Sequence, residues 1–178
     1  GDIRDRDAHG AADPDSHVAA DADLAGAVRG TARRNRELIG AAECPVFVSA
    51  PDLRFDVPEA RWLPGVVDAE RWVAAEAPLA HGGAPRVVHV PSSSSVKGTE
   101  LIEQVLERLA AEGVIAYTRV TGVPHAEMPG LYGRADIVID QMRAGIYGVA
   151  ACEALASGRI VVSHVADRVR SMTAALTG

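Results

Sequence analysis

The segment Arg86-Val87-Val88-His89-Val90-Pro91-Ser92-Ser93-Ser94-Ser95-Val96-Lys97-Gly98-Thr99 decides the fold. Its first part is an apolar strand pattern, and a Ser/Gly-rich loop follows. That loop opens into helical periodicity at Leu101, Ile102, Val105, Leu106 and Leu109, with Glu103, Glu107 and Arg108 largely off the apolar face. Gly113 supplies a stop. The alternation then continues. A strand is expected over Val114–Val120, a short helix around Ala126–Arg134 and a strand over Asp136–Asp140, followed by a helix over Tyr147–Ser157 and a strand over Arg159–His164. Strands that are apolar throughout, alternating with helices, predict a parallel sheet covered on both faces. The expected class is therefore α/β, a Rossmann-like parallel sheet with helices on both faces.

Upstream of Arg86 the pattern is less regular. Residues 1 to about 23 are rich in Asp, Ala and His and lack periodicity, which predicts a loop or disordered lead-in. A helix is expected over 24–42, carrying exposed Arg29, Arg33 and Arg36, and a short strand over Cys44–Ser49. Pro51–Pro85 reads as a connector, with His81-Gly82-Gly83-Ala84-Pro85 as its linker. The chain has no internal repeat.

At 178 residues there is room for one full domain, or for one domain and part of another. Aromatic residues make up only 4%, so the core must be built from Val, Ala, Leu and Ile. A net charge of −6 with dispersed arginines argues against a nucleic-acid binder. Cys44 and Cys152 lie beside apolar residues and read as small buried hydrophobes without a disulfide. The six histidines form no metal-like spacing. No apolar run reaches the roughly 18–20 residues that cross a bilayer, and the start does not resemble a signal peptide. A soluble cytoplasmic protein is expected, with peripheral membrane contact left open.

Lys97 is the only lysine; the other seventeen basic residues are arginines. A compact ammonium in a Ser/Gly loop at the carboxyl end of a strand suits a phosphate, and ligands of such sheets bind at that edge. Ser92–Gly98, including Ser92, Ser93 and Gly98, is thus one candidate segment. A solvated lysine in a turn with capping Ser95 and Thr99 is the plainer alternative. Gly145-Ile146-Tyr147-Gly148 is the second segment, a turn into a helix whose free N–H groups favour an anion. The third is Glu153, a carboxylate in the small-residue helix Val149–Ala156. It needs a solvent-facing position or a bound donor, and vicinal ribose hydroxyls would serve. His125 follows the second strand at the same edge and is either pocket-lining or a surface-loop histidine, whereas His89, within a strand, reads as a core residue. No Gly-x-x-x-x-Gly-Lys-Ser/Thr or Gly-x-Gly-x-x-Gly signature is present, which lowers triphosphatase and dinucleotide oxidoreductase readings. There is no Gly-x-Ser-x-Gly elbow to support a hydrolase.

In order and spacing, five segments resemble the donor-binding half of retaining GT-B-type glycosyltransferases, the large family that includes sucrose and trehalose synthases and many capsule and lipopolysaccharide enzymes. They are Val88–Ser93, Val96–Thr99, Gly122–His125, Ala135–Gln141 and Gly145–Gly158. The likeness covers about residues 44–165. A weaker one joins Gly1–Arg4 to a mid-chain loop of such enzymes. The resemblance implies three parts: a tail of the acceptor domain over 1–55, an interdomain connector over 56–85, and a nucleotide-sugar donor domain over 86–178, truncated at its C-terminus. It also implies a fragment of a longer, bacterial polysaccharide-building enzyme that alone would be inactive. A nucleotide-diphosphate sugar would donate its glycosyl group, with retention, to an acceptor glycan, lipid or small molecule. Lys97 and the backbone of Gly145–Gly148 would hold the diphosphate and Glu153 the ribose, with Ser92, Ser93, Gly98, His125 and Tyr147 lining the donor site. No cofactor or metal is implied, because Lys97 and the helix terminus would neutralise the leaving group.

Many relatives carry two glutamates separated by seven intervening residues, and the first would fall at Gly145. That departure favours an alternative, a non-catalytic nucleotide-binding or subunit-interaction domain of the same fold.

Overall fold

Apolar alternation sets the layers of the main sheet. Four parallel strands, β3 (Arg86–His89), β4 (Ala116–Arg119), β5 (Ile137–Ile139) and β6 (Ile160–Val162), stand in the order β4-β3-β5-β6. Val87 pairs in register with Tyr117 and Ile137, and Ile137 with Ile160. Successive strand residues point to opposite faces. Val87 and Ile139 therefore pack with Ile102 and Leu106 of α4 (Thr99–Ala111) on one side. On the other, Val88 and Val138 pack with Trp72, Met128, Tyr132, Ala135 and Ala154. The second layer is built by α2 (Ala69–Trp72), α5 (Met128–Arg134) and α6 (Val149–Ala156). This is the α/β class with helices on both faces. Leu101 and Val105 of α4 are exposed, so its buried stripe is narrower than the periodicity predicts.

The computed structural model describes residues 18–42 and 44–177. Residues 1–17, including the Gly1–Arg4 likeness and most of the expected lead-in, lie outside them. Residues 18–23 are not irregular but belong to α1 (Val18–Ala41).

The chain divides into two compact units, Gly1–Gly65 with Ala166–Gly178, and Val66–Val165. The first contains α1, the short parallel pair β1 (Phe47–Val48) and β2 (Arg61–Trp62), a 3-10 turn at Pro51–Phe55, and α7 (Asp167–Thr177). Its core is Val48, Val57 and Ala60. Arg36 pairs with Asp56 at 3.2 Å, and the Arg168 guanidinium lies 4.7 Å from the Phe55 ring centre. No described helix is long and apolar enough to cross a membrane.

The second unit holds the sheet. Trp72, in the stretch the sequence assigns to a connector, is buried in its core against Tyr132. The linker residue His81 is also tied down. Gly83 N–H donates to His81 Nδ1, so Nε2–H donates to the Asp136 carboxylate at 2.8 Å. Asp136 further accepts from the Leu79 amide and from the amide and guanidinium of Arg86. The guanidinium bond to Arg86 is the chief reason its carboxyl is held far below the usual carboxylate range.

Candidate functional site

β3 is followed by α4 on one face, whereas the return from β4 crosses to β5 through α5 on the other. The loops leaving β3 and β5 therefore part at the carboxyl edge, the switch point where ligands of such sheets bind.

The loop after β3 runs from Pro91 through α3 (Ser94–Lys97) to Gly98, whose left-handed backbone (φ +69°) turns the chain into α4. Ser92 and Ser93 are exposed, and Ser93 Oγ lies 3.3 Å from Ser95 Oγ. Neither helix start carries a side-chain cap, so Ser95 and Thr99 do not play the capping part. The Thr99 hydroxyl instead donates to His89 Nε2 at 2.9 Å, while His89 Nδ1–H donates to the Ile139 carbonyl. Burial pushes His89 below its ordinary value, so it is a neutral core histidine joining β3, β5 and α4.

Lys97 is not a solvated loop residue. Its side chain is 13% exposed, and its ammonium is ion-paired with Asp140, whose side chain is fully buried. The Met142 amide also donates to the Lys97 carbonyl at 3.0 Å, so main chain links the two loops as well. Asp140 closes β5. Its Oδ2 accepts the Gly148 amide at 2.7 Å and the Ser163 hydroxyl at 3.2 Å. Gly148 is the N-cap residue of α6. A Cβ there would stand 3.0 and 3.2 Å from the two carboxylate oxygens and 3.4 Å from Lys97 Nζ. The lysine and the helix N-terminus that the sequence marks for an anion thus meet, and a carboxylate of the chain itself stands between them.

Gln141 shapes the loop between β5 and α6. Its side-chain amide nitrogen, Nε2, donates to the carbonyls of Ile146 (2.6 Å) and His164 (2.7 Å), and Oε1 accepts the Ala144 amide. Gly145, at φ +70°, makes the turn these bonds demand, and Tyr147 is half-buried beside Gly148. Arg143 pairs with Glu100 and donates to the Ser95 carbonyl at 3.2 Å, binding this loop to the serine loop.

Glu153 is neither solvent-facing nor without a donor within the protein. Its side chain is 9% exposed and accepts from His125 Nε2 at 2.6 Å; the His125 ring is 63% exposed and lies 5.7 Å from Trp72. Beneath, Tyr132 is fully buried and its hydroxyl has no hydrogen-bond partner. Burial, then the charges of Glu153 and Asp140, push this phenol up.

Asp140, Gln141 and Ser163 carry no role in the sequence reading. The available signal was a carboxylate ending an apolar strand eight residues before a helix-opening glycine. The cysteines differ from expectation too: Cys44 is exposed and Cys152 half-buried, because β1 is short and one flank of α6 is open. Among the described residues, no group of three or more His, Cys, Asp or Glu side chains converges as a metal site. No protein-family model and no curated protein matches the chain.

Proposed function

We propose that the Val66–Val165 unit binds the nucleoside-diphosphate part of a sugar donor, and that the chain is part of a retaining GT-B-type glycosyltransferase. One observation carries this reading: Lys97 and the N-terminus of α6 converge on a single anionic group at the sheet's switch point. An ammonium and a helix-terminal N–H are what a departing diphosphate needs. In this reading Lys97 receives the diphosphate at the N-terminus of α6, whose dipole favours its charge, and Glu153 accepts the ribose hydroxyls with His125 beside it. The glycosyl group passes to a glycan, lipid or small-molecule acceptor.

Calorimetric titration with UDP, GDP and ADP tests it. One of the three is expected to bind the folded chain, and Lys97→Ala to weaken it by about tenfold, the worth of one charge-assisted contact. No binding to a folded chain, or binding indifferent to Lys97→Ala, counts against the reading.

The second reading, a non-catalytic nucleotide-binding or subunit-interaction domain, is favoured by Gly145 and by the carboxylate already standing at the anion position. Nucleotide binding without any hydrolysis or transfer from the matching nucleotide sugar, in the presence of candidate acceptors, would support it.

A further inference from the structure

Asp140 has an arrangement that a purely structural carboxylate does not require. It is fully buried, and its partners are the three donors a phosphate oxygen would use here: the Lys97 ammonium, the Gly148 amide and the Ser163 hydroxyl. It directly follows β5, and main chain fixes it to the neighbouring strand, its own amide bonding to the Val162 carbonyl at 2.9 Å. It therefore cannot leave. Lys97 is different, because its four-carbon stem can swing its ammonium outward while the backbone stays fixed.

We infer that Asp140 is a built-in stand-in for phosphate, which holds Lys97 until a diphosphate-bearing ligand takes the ammonium from it. This inference rests on the diphosphate-site reading above. The ligand must supply enough negative charge to compete with a carboxylate that keeps two of its three donors. A single weak anion would not do so, whereas a diphosphate, with more charge and more acceptor oxygens, would. Asp140 thus sets a threshold of ligand charge, and its own charge opposes the ligand it admits.

The test is calorimetry with inorganic pyrophosphate and with UDP, GDP and ADP on wild type, on Asp140→Asn and on Asp140→Asn combined with Lys97→Ala. Asparagine keeps the shape and an acceptor for Gly148 but removes the charge. Asp140→Asn is expected to tighten pyrophosphate by about tenfold, and the gain should vanish in the double variant. Unchanged or weaker binding in folded Asp140→Asn overturns the inference. So does pyrophosphate binding to neither protein. Nucleotide binding by wild type that Asp140→Asn does not tighten leaves the donor-site reading standing and removes this one. A pyrophosphate gain without any preference for a nucleotide does the reverse. If Asp140→Asn does not fold, the side-chain carboxyl carbon of Asp140 in the wild type answers instead. Its NMR signal should shift as pyrophosphate saturates the protein, and a static signal at saturation overturns the inference.

Discussion

The Nε2–H of His125 donates to the Glu153 carboxylate across 2.6 Å, joining the turn after β4 to the middle of α6. A buried carboxylate on a helix of small residues would otherwise be costly. His125 meets that need from an exposed position, so the pair is reachable from solvent on one side only. A ligand hydroxyl reaching Glu153 would be added to this bond.

Glu153→Ala should therefore remove a preference for ribose. Wild type is expected to bind the matching ribonucleotide about tenfold more tightly than its 2′-deoxy form, the worth of a hydrogen bond to a charged acceptor. The variant should bind both alike. Equal discrimination in the two proteins assigns Glu153 to positioning His125 alone.

Lys97→Ala removes the cation from a buried carboxylate. We expect it to lower unfolding free energy by about 3 kcal/mol in urea titrations, as for other broken buried pairs. Combining it with Asp140→Asn should recover a good part of that loss. Additive losses would mean that the two groups do not depend on each other.

Gly148→Ala places a methyl 3.0 Å from an Asp140 oxygen on a backbone (φ −90°) that any residue adopts. The cost is then steric rather than conformational, about 1–3 kcal/mol. Pyrophosphate binding should fall with it, because the methyl also crowds Lys97. A thermal melt indistinguishable from wild type would show that the loop yields.

Tyr132→Phe deletes a hydroxyl that is buried and unpartnered. Stability should stay level or rise by about 1 kcal/mol, since no bond is lost and a polar group leaves the core. A clear loss would reveal a water or a ligand group on that oxygen.

Acid should act through Asp136. Its carboxyl is held low by Arg86, with His81 and two amides helping. A depressed folded-state value means that its contribution is complete above the unfolded value near pH 4 and is lost as pH falls below it. Asp136→Asn should flatten the acid side of the stability profile below about pH 4, while leaving the slope above pH 5 unchanged.

Much of the sheet was legible because burial on two faces writes itself as unbroken runs such as Val87–Val90 and Ile137–Ile139. The loops at the carboxyl edge were legible for a different reason, since a lone lysine and paired glycines are compositional exceptions. Asp140 escaped because its meaning depends on which residues stand 43 and 8 positions away, and periodicity carries no such information. Trp72 escaped because a four-residue helix among prolines and glycines leaves no periodic trace, although its indole fills the layer beneath α5 and α6. The N-terminal limit of α1 was missed where Asp and Ala alternate without an apolar stripe.

The burial of Trp72 has a practical consequence for anyone cutting this chain. A piece beginning at Arg86, where strand periodicity starts, would lose the indole that fills one layer and leave Asp136 without Leu79 and His81. Loss of a buried tryptophan alone costs about 3–5 kcal/mol, a large part of what holds a small domain together. Expression trials of the sheet-bearing half should accordingly start at or before Val66, whatever the prolines and glycines in between suggest.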